Sequence, residues 1–235
     1  MQAVIMAGGK GLRLRPLTTV LPKPLIPLGE SSIIEMVLGQ LERCGFEDVV
    51  VTVGYKSELI MAVLGDGSRY GLSVRYHHES EPLGTLGALA TIDDLQENFL
   101  VMNGDICTNM HFGELLKDHE MSGAVATVSA QNKTEQVPLG VLDVDDETDR
   151  IVGFREKPTY EFLVAMGVNA FNRSILDLVP AHTFFGFDDM MLAGLSSGVD
   201  VRHRLFEGLW YDIGHPHDYN AVLDEIGKNE NLFRP

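Results

Sequence analysis

The sequence predicts an α/β protein built around a mostly parallel sheet. Short apolar runs alternate with longer segments of helical periodicity, a pattern typical of parallel strands joined by crossover helices. A glycine-rich turn follows the first predicted strand, and the polar cluster Asn103-Gly104-Asp105 follows a later one. Because open α/β sheets bind ligands at the carboxyl ends of their strands, both clusters point to one candidate site.

The first half of the chain is expected to supply most of this layer structure. We predict buried strands at residues 3–6, 49–53, 74–77 and 99–102, and helices at residues 32–44, 57–64 and 86–95. The second half is expected to add a small β excursion, with strands at residues 124–130, 140–144 and 151–156, a polar linker at 131–136 and an acidic turn at 143–149.

Length and composition narrow the class of protein. With 235 residues, 45% of them hydrophobic, the chain is expected to form a single domain, 1–235, whose halves divide at about residue 110. A net charge of −16 argues against nucleic acid and anionic membranes as partners, since gripping a polyanion needs a surplus of Lys and Arg. We predict a cytoplasmic protein, because the apolar N-terminus lacks a basic leader and the apolar runs are too short to span a bilayer.

The sharpest local signal is residues 7–18, which read AGGKGLRLRPLT directly after the first strand. The glycines at 8, 9 and 11 allow backbone N–H groups to approach a phosphate closely. The dinucleotide fingerprint would need a glycine at Leu14, and a P-loop would need Gly-Lys-Ser/Thr, so neither motif is present. A triphosphate held by backbone amides, Arg13 and Lys23 is one interpretation. A plain βα turn with solvated basic residues is the other.

This loop, followed by PKPL at residues 22–25, resembles the signature of sugar-1-phosphate nucleotidyltransferases, in particular the mannose-1-phosphate guanylyltransferase-like branch. The resemblance continues through EPLGT at 81–85, NGD at 103–105, REKP at 155–158 and WYDIG at 210–214. It implies a three-layer α/β/α Rossmann-like fold with a mixed sheet. It also implies a nucleotide site that includes Ala7, Gly8, Gly9, Gly11, Arg13, Lys23, Gly84 and Thr85. Leu12 departs from the family, which usually has Thr there.

Two carboxylates are the expected metal ligands. Asp105 follows a hydrophobic strand, and Asp212 lies in a late aromatic motif. Two carboxylates completed by phosphate oxygens and water are a usual way of holding Mg²⁺. The resemblance implies that Asp105 and Asp212 hold this ion, and that Arg13, Lys23 and Asp105 are the catalytic residues. Read without the family, the two aspartates are a turn cap and a loop hydrogen bond.

A second substrate, a sugar 1-phosphate, follows from the same resemblance. It implies that Glu156 binds sugar hydroxyls, that Lys157 binds the sugar's phosphate, and that Asn103 and the Gly140 backbone also contact this substrate. The family commonly has Asn-Ala-Gly in a segment that reads Ala165-Met166-Gly167 here. Ala165 cannot make the family's sugar contact, and we do not assume that Asn169 replaces it. We therefore expect a sugar that differs from mannose or glucose.

Glu79 and Glu81 are the candidate readers of the nucleotide base. Guanine presents adjacent N1–H and N2–H donors that match a carboxylate, whereas uracil and thymine suit a Gln amide better. Because residues 79–85 contain no Gln, the sequence favours GTP. In the alternative interpretation, both glutamates simply face water.

The predicted reaction is nucleotidyl transfer from an NTP to a sugar 1-phosphate, with release of pyrophosphate and with Mg²⁺ as cofactor. Three alternatives stay open: UTP, dTTP or CTP as donor, a non-sugar phosphate as acceptor, and a catalytically silent nucleotide-sugar-binding subunit. A homodimer is implied by the resemblance alone. His215 and His217 flank a proline and lack the spacing of a helical metal pair, so we assign no transition metal to them.

Overall fold

The computed structural model describes residues 1–79, 81–181, 183–229 and 233. The strands are β1 Gln2–Met6, β2 Pro27–Leu28, β3 Ser31–Ser32, β4 Asp48–Val53, β5 Ser73–His78, β6 Asn98–Asn103, β7 Ile106–Thr108, β8 Ala126–Gln136, β9 Gly140–Asp145, β10 Arg150–Glu156, β11 Thr159–Asn172, β12 Val201–Leu205 and β13 Trp210–Asp212. The α-helices are α1 Leu17–Val20, α2 Ile33–Arg43, α3 Ser57–Leu64, α4 Gly84–Leu89, α5 Phe112–Ser122, α6 Phe187–Ser197 and α7 Pro216–Lys228.

One seven-stranded sheet organises the molecule, in the order β12-β8-β11-β6-β1-β4-β5. The pairs β1/β4, β1/β6, β4/β5 and β12/β8 are parallel, whereas β11 runs antiparallel to both β6 and β8. The sheet is therefore mixed and mostly parallel, which confirms the predicted fold class. The four neighbouring parallel strands β6, β1, β4 and β5 end at the same edge, where ligands bind in open α/β sheets.

Apolar side chains on both faces of the sheet explain why it forms a central layer. Strand β4 is buried from Val49 to Val53, as expected for a parallel strand covered on both sides. Helix α2 buries Ile34, Leu38 and Leu41 against that layer. Its start is fixed by a capping box, in which Glu35 accepts a hydrogen bond from the Ser32 backbone N–H at 2.9 Å.

Two predicted elements differ from the structure. The helix expected at residues 86–95 is α4, which ends at Leu89, because the Thr91 hydroxyl turns back to donate to the Ala88 carbonyl at 2.7 Å. The polar linker expected at 131–136 is strand, since β8 continues through it in register with β11, from Gln131 opposite Val164 to Gln136 opposite Thr159. Polarity there reflects an exposed two-stranded arm rather than a loop.

Three smaller antiparallel pairs accompany the central sheet in the described residues, β2 with β3 and two that bear on the site. The first, β9 with β10, forms a hairpin beyond the β8/β11 arm. The second, β7 with β13, places the segment around Asp212 beside the segment after β6. Within the described residues, no helix is both long and apolar enough to cross a membrane.

Candidate active site

The carboxyl edge of the parallel strands opens into a cleft of about 910 Å³. Residues that follow four different strands line it: the loop after β1, Gly54 after β4, Glu79 after β5, and Asn103 with Asp105 at the end of β6. The predicted nucleotide residues Gly8, Gly9, Glu81, Gly84 and Thr85 also line this cleft. The structure thus brings together residues that are far apart in the sequence, from Gly8 to Asp105.

At Gly8 and Gly11 the glycine loop lies so close to its neighbours that a side chain would not fit, whereas Gly9 is open. A Cβ on Gly8 would stand 2.7 Å from a carboxylate oxygen of Glu79. Gly11 has φ = +58°, and a Cβ there would meet the side chains of Thr18 at 2.9 Å and Lys23 at 3.0 Å. The backbone N–H of Ala7 donates to Thr52 and is therefore already used within the protein. The free approach to a phosphate is consequently at Gly8 and Gly9, which line the cleft.

Lys23 forms an ion pair with Asp105, which lines the cleft. The Lys23 ammonium donates to one Asp105 oxygen, Oδ2, and both side chains are largely enclosed, with 13% and 22% of their surface exposed. The other oxygen, Oδ1, is buried without a hydrogen-bond partner in the described part of the chain. Burying an anionic oxygen without a partner costs free energy, so a cation bound to Oδ1 would stabilise the site.

Asp212 is brought to the same place by the pairing of β13 with β7. In that register Asp212 lies opposite Ile106, the residue after Asp105, and the backbone N–H of Ile213 donates to the Asp105 carbonyl at 3.1 Å. Partial burial, followed by the negative charge of Asp105, raises the pKa of Asp212 above its ordinary value, although Lys23 and Arg13 oppose the shift. Two carboxylates thus repel each other across a short span.

The Asp105/Asp212 pair fits a divalent cation. A cation between them would relieve their repulsion and would satisfy the orphaned Oδ1 of Asp105. Among the described residues no group of three or more His, Cys, Asp or Glu side chains forms a protein-only cage. Two protein carboxylates with substrate and water oxygens completing the shell is the arrangement that Mg²⁺ ordinarily adopts.

Arg13 lies on the same side as Asp212. A Cβ on Gly214 would be 3.6 Å from an oxygen of Asp212 and 3.8 Å from the guanidinium carbon of Arg13, so both side chains flank this glycine. The guanidinium also lies 3.1 Å from Nε2 of His215. Arg13 is exposed, and a guanidinium carries five N–H donors, more than its contact with His215 uses.

A second cavity, of about 260 Å³, adjoins the cleft. Asn103 and Thr85 line both spaces, and Asp212 lines the second. The walls of the second cavity are Val101, Phe187 and Trp210 together with the segment 165–167 and Asn169. A small polar ligand in it would reach Asp212. The arrangement therefore provides two adjacent binding spaces that meet at the carboxylate pair.

Three predicted substrate residues lie in the hairpin. Gly140 is the register partner of Glu156 in the β9/β10 pair, and a Cβ on Gly140 would be 3.4 Å from a Glu156 oxygen. Lys157 follows with φ = +45°, and its carbonyl accepts a hydrogen bond from Gln136 at 3.3 Å. All three are exposed. The structure brings them together with one another, but the described linings of the two cavities do not include them.

Several residues of the site were not identified from the sequence. Tyr55 and Phe184 line the nucleotide cleft, and His215 contacts Arg13. Trp210 belongs to the WYDIG segment, but the sequence does not indicate its role: its indole N–H donates to the Met166 carbonyl at 2.9 Å, and the residue lines the second cavity. Phe184 has no local signal, because it reaches the cleft from the loop that precedes α6, far in sequence from the strands that end at the cleft.

A glycine loop, a lysine–aspartate pair and two neighbouring carboxylates lie at the carboxyl edge of a mixed α/β sheet. This arrangement is typical of α/β proteins that bind phosphorylated ligands. The family model "Nucleotidyl transferase" matches residues 2–229. The chain belongs to the nucleotidyl transferase family.

Curated relatives support the same assignment. The chain is 33% identical over 242 residues to the rice protein named "Probable mannose-1-phosphate guanylyltransferase 1", covering 97% of this chain and 66% of that protein. It is 31% identical over 225 residues to the mannose-1-phosphate guanylyltransferase of Mycobacterium tuberculosis (strain ATCC 25618 / H37Rv), covering 92% and 62%. The chain therefore spans slightly less than two thirds of the length of these relatives.

Solved structures share the fold. HddC from Yersinia pseudotuberculosis superposes with a TM-score of 0.74 at 23% identity, over 96% of this chain and 99% of that one. The same protein complexed with GMP-PN superposes with a TM-score of 0.73 at 22% identity, with the same coverage. At this level of identity the comparison establishes the fold.

Proposed function

We propose that this protein transfers a nucleotidyl group from an NTP, GTP in first place, to a sugar 1-phosphate and releases pyrophosphate. The observation that carries the proposal is the meeting of two binding spaces at Asp105 and Asp212, one large enough for a nucleotide and one for a small polar ligand. The curated relatives named as mannose-1-phosphate guanylyltransferases support this reaction.

In the proposed reaction, an oxygen of the sugar phosphate attacks the α-phosphorus of the NTP while the bond to the β-phosphate oxygen breaks and pyrophosphate leaves. The attacking oxygen is already anionic at neutral pH, so the chain needs no general base. Positioning and charge stabilisation are what such chemistry demands. A divalent ion, Mg²⁺ by its oxygen-rich ligand set, held by Asp105 and Asp212 would neutralise phosphate charge on both substrates.

The chain's own residues bind the phosphates, stabilise the developing charge and contact the sugar. Gly8 and Gly9 allow the phosphates to approach the backbone closely. Lys23, beside Asp105, neutralises part of the charge of the phosphates. Arg13 stabilises the charge that develops on the transferred group and on pyrophosphate. We propose that three residues of the β9/β10 hairpin and its end also contact the sugar 1-phosphate: Gly140, Glu156 and Lys157.

The preference for GTP rests on the two carboxylates at the edge of the nucleotide cleft. Glu79 lies against Gly8, and Glu81 lines the same space. An acceptor-only group there matches the adjacent N–H donors of guanine.

We infer a cytoplasmic location, which agrees with the two cysteines, Cys44 and Cys107, being buried and free. The homodimer stays a prediction.

The decisive experiment is a matrix of the four NTPs against mannose, heptose and glucosamine 1-phosphates, with pyrophosphate release as the readout. We expect release with GTP and one sugar 1-phosphate, dependent on Mg²⁺. Asp105→Asn should abolish release, whereas Asp146→Asn, which removes the same charge from the exposed hairpin turn, should not. Nucleotide binding without pyrophosphate release for any pair would overturn the proposal in favour of a silent binding subunit.

A further inference from the structure

We propose that Asn169 is the residue that reads a hydroxyl group of the sugar ring, at the end of the ring remote from the phosphate. The inference rests on the proposed function and deepens it. It starts from an unsatisfied atom: the side-chain oxygen Oδ1 of Asn169 is buried without a hydrogen-bond partner in the described part of the chain. The residue is 5% exposed, and it lines the 260 Å³ cavity.

The surroundings of Asn169 make this polar group conspicuous. On its strand, the next residue of the same sheet face is Phe171, and the residues paired with these two on β6 and β8 are Val101, Phe99, Val128 and Ala126. All five of these neighbours are apolar and buried. An amide in such surroundings costs stability unless it finds a partner, whichever of its two polar atoms is placed there. A ligand in the cavity is the partner that this geometry offers.

An irregularity in β11 places Asn169 at the cavity. Between Ala165 and Asn169, β11 advances four residues while its partner β8 advances two, from Ala130 to Val128. The bulge includes Gly167 at φ = +74°, and it is held by Trp210, which donates to the Met166 carbonyl. Bulges of this kind re-aim side chains next to binding sites. Here Ala165 and Asn169, on either side of the bulge, both line the same space.

The register of the sheet gives the position of Asn169 along the ligand. Asn169 pairs with Val101, whereas Asn103 lies two residues further along β6, toward Asp105. Two strand residues correspond to about 7 Å. Asn169 is therefore about 7 Å deeper in the sheet than Asn103, and farther from the carboxylates that are proposed to hold the phosphate end. A sugar 1-phosphate bound at Asp212 would direct the opposite side of its ring toward Asn169.

Ala165 contributes no side-chain hydrogen-bonding group to the cavity, whereas Asn169 contributes an amide from the other side of the bulge. A side-chain amide contact to the sugar from the segment 165–169 therefore has to come from Asn169. This chain would accordingly prefer a sugar whose hydroxyl pattern at the deep end matches an amide.

The test compares Asn169→Ala and the near-isosteric Asn169→Leu with Asn132→Ala, which removes the same amide from an exposed position on β8. The substrates are the best sugar 1-phosphate of the wild-type protein and analogues of it that lack one ring hydroxyl each. We expect both Asn169 variants to lose roughly 10- to 100-fold in kcat/KM for the parent sugar and to lose the preference for it over one deoxy analogue. The KM for the NTP should stay within about twofold, as should every parameter of Asn132→Ala.

Thermal unfolding separates this role from a structural one. Because Asn169→Leu replaces an unsatisfied polar group by an apolar one of similar size, its Tm without ligand should equal or exceed that of the wild-type protein. A lower Tm, with equal losses for every sugar, would show that the side chain serves the fold and would overturn the inference. Unchanged preferences at every ring position would overturn it as well, while leaving the proposed function intact.

Calorimetric binding of the same sugar 1-phosphates keeps the two proposals distinguishable. If the wild-type protein binds them without turnover, and Asn169→Leu loses the preference for one ring hydroxyl, the inference stands and the proposed function fails. If the wild-type protein neither binds nor turns over any of them, both fail.

Discussion

The guanidinium Nη1 of Arg13 lies 3.1 Å from Nε2 of His215, a contact that joins the loop after β1 to the residue that precedes α7. Because an arginine can only donate, the histidine nitrogen must accept, and its ring therefore carries its proton on Nδ1 when neutral. The contact spans 202 positions of the sequence and holds the catalytic candidate Arg13 beside Gly214 and Asp212.

Arg13→Ala is expected to lower kcat by roughly 100-fold or more, the effect of losing one electrostatic stabiliser of the transition state. Steady-state pyrophosphate release measures it. Arg202→Ala, which removes a guanidinium paired with Asp200 on the exposed surface, is the charge-matched control and should leave kcat unchanged. A near-normal kcat for Arg13→Ala would remove this residue from the mechanism.

His215→Ala should have a smaller effect, about 3- to 10-fold on kcat, because it removes one hydrogen bond that orients Arg13 while leaving the charge in place. The double variant Arg13→Ala/His215→Ala should be no slower than Arg13→Ala alone, since a positioning residue has no effect once its target is gone. Multiplicative losses in the double variant would show that His215 acts independently of Arg13.

Glu79→Gln and Glu81→Gln are expected to lower kcat/KM for GTP relative to UTP or dTTP. The carboxylate accepts from the two adjacent donors of guanine, whereas an amide also presents a donor that suits the carbonyls of uracil and thymine. Competition assays with paired NTPs measure the ratio. Glu135→Gln, at an exposed position on β8, provides the matched control. Unchanged ratios for both variants would contradict base reading by these glutamates.

On acidification, the affinity for Mg²⁺ should begin to weaken at a higher pH than it would in a site whose aspartates had ordinary pKa values. Partial burial and the charge of Asp105 raise the pKa of Asp212, and only the deprotonated carboxylate binds the ion. Proton competition therefore begins once the pH falls to this raised pKa, and affinity drops about tenfold per pH unit below it. Calorimetric titration of Mg²⁺ across a pH series measures this. Asp212→Asn should remove both the binding and its pH dependence, and a flat profile in the wild-type protein would contradict the assignment.

The sequence predicts the parallel part of the sheet well because its strands β1, β4 and β6 are almost entirely buried. The apolar runs of these three strands and the glycines that follow them are local signals. All four parallel strands, including the partly buried edge strand β5, lie within a residue of the predicted bounds. From the sequence, the proximity of Asp105 and Asp212 follows only from a family resemblance. The physical cause of this proximity is the β7/β13 pair, whose strands of three residues carry no periodicity.

Other parts of the site depend on long-range register, which local pattern does not encode. The polarity of residues 131–136 is that of a loop, yet they pair with β11 as an exposed arm. In the sequence, Asn169 is a single polar residue within an apolar run. Its unsatisfied oxygen follows from the bulge after Ala165 and from neighbours contributed by β6 and β8.

Gly11 and Gly9 should respond very differently to the same substitution. Gly11→Ala places a Cβ at φ = +58°, where it would meet Thr18 at 2.9 Å and Lys23 at 3.0 Å, whereas a Cβ on Gly9 meets nothing within 4 Å. We expect Gly11→Ala to lower the free energy of unfolding by about 1–3 kcal/mol, and Gly9→Ala to change it by no more than about 0.5 kcal/mol. Chemical denaturation monitored through Trp210 measures both. Because the strained Cβ presses on Lys23, Gly11→Ala should also raise the KM for the NTP. Equal stability of the two variants would mean that the loop does not hold the left-handed conformation on which the approach of Lys23 depends.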